Sequence, residues 1–134
     1  MFRWAVGIAA GVSLFFTFGV ALRLFKILPH SVAGSINVQL FPGYYVFLTA
    51  SLLIALFASL PLFKMQTLNK IATFLVLTAL ICVLVNAHIL GPKIMEAMKP
   101  ATMDTFRRLH GISMGLNMLS ILTILAAPLC LREK

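Results

Sequence analysis

The sequence predicts an all-α fold: an integral membrane four-helix up-down-up-down bundle, with an interfacial segment between helices 1 and 2, forming a single domain over residues 1–134. Three observations carry this expectation. Hydrophobic residues make up 61% of the 134 and charged residues only 10%, at a mean hydropathy of +1.05. That leaves too few polar side chains to clothe a water-facing surface, so lipid must be the solvent. The charged residues also cluster at the ends of four apolar runs, and short connections between those runs force sequential, antiparallel neighbours.

The first run is free of charge from Trp4 to Leu22. A secretory signal core is shorter, roughly 7–15 residues, whereas about 20 cross a bilayer, so this segment is read as a retained helix over 4–25. Arg23 and Lys26 end it, with side chains long enough to reach the headgroups. Ile27 to Phe63 contains no Asp, Glu, Lys or Arg, which is too long for one crossing. Pro42 divides it, because proline suits a helix's first turn and not its middle. The second helix is therefore expected over 44–63, with Tyr44 and Tyr45 as interfacial anchors, and Ile27–Phe41 as a non-helical connector at the membrane rim. A third helix over 71–90 ends at Gly91-Pro92. The fourth covers 103–131, with Thr102 as N-cap and Asp104 complementing the dipole of the first turn.

Net charge is +8, which in a soluble domain would suggest nucleic acid. Here the cations sit at the ends of apolar runs, so anionic lipid headgroups are the expected partner and nucleic acid is not. Arg3, Lys64, Lys70, Arg132 and Lys134 fall on the side of the termini, against Arg23, Lys26, Lys93, Lys99, Arg107 and Arg108 on the other. Five against six sets no orientation.

Groups able to do chemistry are few. The acids are Glu96, Asp104 and Glu133, all outside the expected spans, so no intramembrane carboxylate pair can form, and no enzyme is predicted. His30, His88 and His110 share one membrane face with Met95, Met98, Met103 and Met114, a soft-ligand composition. Yet no two of the histidines have helical ligand spacing, and Asn86 and His88 point about 200° apart on an ideal helix. No metal, cofactor or catalytic set is assigned. Cys82 and Cys130 form no C-x-x-C pattern, and Cys130 is read as a small hydrophobe rather than a lipidation site.

Two patterns bear on helix packing. Gly7 with Gly11, and Gly111 with Gly115, have the four-residue spacing that lets membrane helices approach closely, and are read as notches within this chain or as dimer contacts. Phe106, His110, Ser113, Asn117 and Ser120 recur at spacings of 4, 3, 4 and 3, which aligns them on one stripe of the fourth helix. Polar groups in hydrocarbon need protein partners. Asn86 or His88 lies at a suitable depth to bond His110.

The segment Leu28-Pro29-His30, Gly34, Leu40-Phe41-Pro42, Tyr44-Tyr45, together with Phe106-x-x-x-His110-Gly111-x-Ser113-x-x-x-Asn117 and Pro92 after the third helix, resembles the transmembrane protein 205-like family of four-helix membrane proteins. The resemblance implies a fold without an assigned reaction, in a family discussed in connection with trafficking and drug export. This chain departs from the pattern between Lys93 and Asp104, and Gly91 stands where the family carries an acid. Read physically, Pro29, Gly34 and Pro42 shape the connector while His110, Ser113 and Asn117 hold it.

Two functions follow as expectations. One is a non-catalytic structural or accessory subunit that associates with other membrane proteins or with itself. The other is a small-molecule or soft-metal transport or efflux element, which would require a polar cavity near Asn86, His88 and Asn117.

Overall fold

The computed structural model describes residues 1–63, 67–99 and 102–130. Lys64, Leu131, Arg132, Glu133 and Lys134, which entered the charge and boundary readings, lie outside them. Among the described residues every regular element is helical. The first rod joins α1 (Phe2–Leu14), a π-helical segment (Phe15–Ala21) and α2 (Leu22–Ile27). The second is α3 (His30–Phe63). The third joins α4 (Thr67–Val85), a second π segment (Asn86–Leu90) and α5 (Gly91–Glu96). The last is α6 (Met103–Cys130). Each of the four rods contains a helix long and apolar enough to cross a membrane.

The rods form a ring. α1 packs against α3 and α6, and α4 packs against α3 and α6, which is the neighbour pattern of an up-down-up-down bundle. The core is built from small and branched residues: Ala5, Val6 and Ala9 on α1, Leu48, Leu52 and Ala55 on α3, Ala72, Val76, Ala79 and Val83 on α4, Ile124 and Ala127 on α6. Hydroxyls inside this core are returned to their own helices. Ser13 donates to the Ala9 carbonyl at 2.7 Å, Thr73 to Asn69 at 3.0 Å and Thr123 to Leu119 at 3.0 Å, so they carry no unpaired group into an apolar interior.

The connector between the first two rods differs from the expectation. Only Leu28 and Pro29 separate the helices: Leu28 is extended (φ −111°, ψ 155°), as a residue before proline prefers, and the Pro29 carbonyl accepts from the Ala33 amide at 2.9 Å to begin α3. Gly34 and Pro42 lie within the helix. The reason is visible in burial. Ala33, Asn37, Tyr44, Leu48, Ser51, Leu52, Ala55 and Ser59 are all buried, tracing one stripe at helical spacing straight through the proline, while Pro42 itself faces outward. A proline on the outer side of a packed apolar helix is tolerated because neighbouring groups and local backbone adjustment accommodate it. Pro61 and Pro128 are also intrahelical. Tyr44 and Tyr45 are accordingly mid-helix residues rather than anchors at a helix start.

The third rod also runs on past its expected end. Gly91 and Pro92 open α5, and Pro92 occupies a first-turn position where its missing N–H is of no consequence. Thr102 does precede α6, but its hydroxyl points back, donating to the Ala97 carbonyl at 3.1 Å. It ties the turn to α5 instead of capping the helix it precedes. Asp104, in the first turn of α6, lies 3.9 Å from Arg107 on an exposed surface, an arrangement that contributes little to stability.

Spin labels placed singly along 32–41 should report accessibility with a helical period, lowest at positions 33 and 37. An aperiodic profile there would restore the non-helical connector.

Candidate functional site

A polar and aromatic knot sits where the four rods meet, near the middle of each. Its centre is Asn117. The Asn117 Oδ1 accepts from the Tyr44 hydroxyl at 3.0 Å, and its Nδ2 donates to the Thr17 Oγ1 at 3.3 Å. One carboxamide thus joins α6 to the facing rod α3, with which it shares no side of the ring, and to the first rod, which it neighbours. Tyr44 is buried at 5% exposure, and Ser13 of α1 also reaches its hydroxyl.

The sequence puts these groups together through the first π segment. A π turn holds more residues per turn than an α-helix, and such turns are frequent at functional sites. Its signature bond runs from the Leu22 amide to the Thr17 carbonyl. Gly19 makes room for it: a Cβ there would stand 3.1 Å from Cδ2 of Phe15, whose ring folds across the backbone. The widened turn presents Phe16 and Thr17 to the interior. Phe16 stacks on Tyr44 with centroids 4.3 Å apart and planes 17° from parallel. Phe41 stacks on Tyr45 at 5.5 Å and 16°, and Phe16 and Phe41 meet at 5.3 Å. Phe16, Phe41 and Tyr45 therefore gather around the Tyr44 ring of the phenol–amide pair, in arrangements that aromatic quadrupoles favour.

The third rod adds a second amide. Asn86, 2% exposed, donates through Nδ2 to the Ser113 carbonyl at 3.2 Å, while the Ser113 side chain lies against the Tyr45 hydroxyl. Asn86 opens the second π segment, in which the Gly91 amide bonds to the Asn86 carbonyl. A Cβ on Gly91 would approach that same carbonyl to 3.0 Å. The bulge, the following proline and the glycine are one device: Pro92 supplies no N–H, the turn widens, and only a residue without a side chain lets the carbonyl close in. A side chain at position 91 would require the Asn86 carbonyl to give way by a few tenths of an ångström.

Of the residues expected to act together, Phe41, Tyr44, Ser113 and Asn117 are brought together. His110 is not. It is exposed and stacks on Phe106 at 5.5 Å and 6°, so Asn86 bonds to Ser113 in its place. Pro29, Leu40, Pro42, Pro92 and Gly111 face outward. His88 is exposed as well, and Met95, Met98, Met103 and Met114 are each at least 42% exposed. Among the described residues no three of His, Cys, Asp and Glu group together. Of the two readings of the glycine pairs, notches within the chain are not found: Gly7, Gly11, Gly111 and Gly115 are exposed, and a Cβ on any of them meets nothing within 4 Å. The intramolecular role falls to Ala5, Ala9 and Ser13, one step around α1.

Among the described residues two buried acceptors have no hydrogen-bond partner: Asn37 Oδ1 and Asn86 Oδ1. Thr17 and Asn37 were missed in the sequence. Thr17 is one hydroxyl in an apolar run, and only the π turn directs it inward. Asn37 carried a signal, since an amide inside a charge-free stretch calls for burial against protein.

Asn117→Leu removes both bonds and should lower stability by about 1–2 kcal/mol, given the roughly 0.6 kcal/mol average for a bond between membrane helices. Thermal unfolding in mild detergent measures this, and a cycle with Tyr44→Phe should show the two losses to be coupled. Gly91→Ala should also destabilise, by about 1 kcal/mol or more, because the new methyl meets backbone rather than a flexible side chain. An unchanged melting temperature would contradict the tight turn.

Comparison with known proteins places these residues in context. The profile of a family described as Domain of unknown function (DUF4149) matches residues 4–102, a stretch that holds Thr17, Tyr44 and Asn86, with Ser113 and Asn117 beyond it. An uncharacterized protein of Aquifex aeolicus (strain VF5) is 31% identical over 121 residues, covering 90% of this chain and 86% of the relative. No solved structure matches.

Proposed function

The chain belongs to the DUF4149 family, and from that premise we propose that it is a multi-pass integral membrane protein acting as a non-catalytic accessory subunit, through contacts made by its outer surface. The observation that carries this reading is the use made of the central polar groups. Asn117 commits both ends of its amide to helix–helix bonds, and Asn86 holds the last rod by its backbone. Asn117, the polar group best placed to line a path for solute, is thus spent on holding the bundle together.

The outer surface supports the same reading. Gly7-x-x-x-Gly11 and Gly111-x-x-x-Gly115 point away from the bundle with open space above them, and in lipid such small-residue faces allow a second helix to approach backbone to backbone. The partner is another membrane protein or a second copy. A closer kinship with the transmembrane protein 205-like family belongs to this proposal too, resting on Leu28-Pro29-His30, Phe41-Pro42, Tyr44 and the Phe106-to-Asn117 pattern.

One observation favours the alternative, transport or efflux of a small molecule. The orphan Oδ1 atoms of Asn37 and Asn86 would accept from a hydroxyl or amine in the interior. Amide oxygens are hard donors, so this alternative takes a small organic molecule in preference to a soft metal.

Solubilisation in mild detergent followed by affinity capture and mass spectrometry tests the accessory role. A polypeptide, or a second copy, should be retained in fixed ratio and lost from Gly7→Leu/Gly11→Leu or Gly111→Leu/Gly115→Leu, whose melting temperatures stay near that of the parent. A monomer without polypeptide partners, active in solute uptake by vesicles, would establish the alternative.

A further inference from the structure

The outer face of the first rod carries a groove of about 310 Å³ lined by Phe18, Leu22, Arg23 and Lys26. It is divided by chemistry. Phe18 and Leu22 are 50% and 56% exposed and form an apolar floor, while Arg23 and Lys26 stand together at the end nearest the helix terminus at Ile27. A second groove, lined by Met1, Trp4, Ala5, Ile8, Ser51 and Ile54, is apolar throughout apart from Ser51 and has no such cationic end.

The π segment is what assembles this face. On an ideal α-helix Arg23 would lie about 140° around the axis from Phe18. Each residue of a π turn advances through a smaller angle, and the turn covers Phe15–Ala21, so Arg23 is swung back toward the side of Phe18, with Lys26 beside it. Among the described residues neither cation has an ion-pair partner, and Asp104 on the same end of the bundle is engaged with Arg107. The carbonyl end of a helix offers an anion no donors, so recognition falls to the two side chains.

From this geometry we infer that the groove is a selective site for one anionic phospholipid, its phosphate between Arg23 and Lys26 and its acyl chain along Leu22 and Phe18 toward exposed Phe15. Guanidinium binds phosphate oxygens bidentately and ammonium adds a point charge. The apolar floor runs from those cations toward the bilayer interior, in the direction a tail must follow from its headgroup. A soluble phosphate would use the cations and leave the floor bare. The inference rests on the multi-pass reading, which is checked separately by resistance of the membrane-bound chain to alkaline carbonate extraction.

Native mass spectrometry of the full chain released from vesicles of equal phosphatidylglycerol and phosphatidylcholine content tests the site. The parent should keep phosphatidylglycerol in preference to phosphatidylcholine. Arg23→Gln and Lys26→Gln should each lower that preference by roughly fivefold, with Arg23→Lys restoring part of it, whereas Arg107→Gln/Arg108→Gln leaves it intact. Millimolar inorganic phosphate should not displace the lipid. Equal retention of the two lipids, an unaffected Arg23→Gln/Lys26→Gln variant, an equal loss in the Arg107/Arg108 pair or displacement by phosphate would each overturn the site. Loss of the chain to the carbonate supernatant would instead overturn the multi-pass reading.

Discussion

The carboxamide of Asn117 is the constraint on which the rest of the bundle depends. Facing helices in a four-membered ring do not touch through their backbones, and in lipid no hydrophobic force draws them together. A side chain long enough to reach the centre, and able to donate and accept at once, supplies the missing direction. With Tyr44 on one end and Thr17 on the other, the amide fixes the rotation of three rods relative to one another. Slide any of them by a residue and these bonds are lost, each worth about 0.6 kcal/mol on average between membrane helices.

Backbone irregularity is the second theme, and it serves the first. Both π segments lie at the depth of the polar knot and start beside its members, Thr17 and Asn86. Each turns a neighbouring stretch of its rod by part of a turn. In the first rod this leaves a conventional face of Ala5, Ala9 and Ser13 below, presents Phe16 and Thr17 at the centre, and redirects Arg23 above. In the third it lets the helix continue into Gly91 and Pro92 without ending. Prolines at 42, 61 and 128 are carried inside helices for a related reason: surrounding protein and lipid offer no water to compete for the backbone, so the helix closes around each defect.

How much of this was legible in the sequence depends on which force set each feature. The four rods follow from the scarcity of charge, which a bilayer enforces strictly, and their order follows from short connections. That the Asn117 stripe would face protein was legible too, because a polar row in apolar surroundings has to find partners, but Tyr44 was read as an anchor at a helix start and not as the partner of Asn117. Reading Pro42 as a boundary applied a rule of aqueous helices to a chain in a different solvent, and the burial stripe from Ala33 to Ser59 overrides it. His110 was misplaced because it continues the stripe geometrically, but it lies nearer the end of α6, where it is exposed and stacks on Phe106. The glycine pairs were left between an inward and an outward role, since spacing alone does not reveal azimuth. The π turns have no compositional signature beyond the glycines that permit them.

The length of α3 has its own consequence. Its 34 residues span about 51 Å at 1.5 Å each, against a hydrocarbon core of about 30 Å, and none of them is charged. A tilt of about 20° shortens the projection only to roughly 48 Å. Lacking ionic stops, this rod cannot set its own height; the shorter neighbours bolted to it through Tyr44 do so. In a bilayer, its surplus apolar turns would favour thick membranes, or thicken thin ones locally, so the chain should sort by membrane thickness.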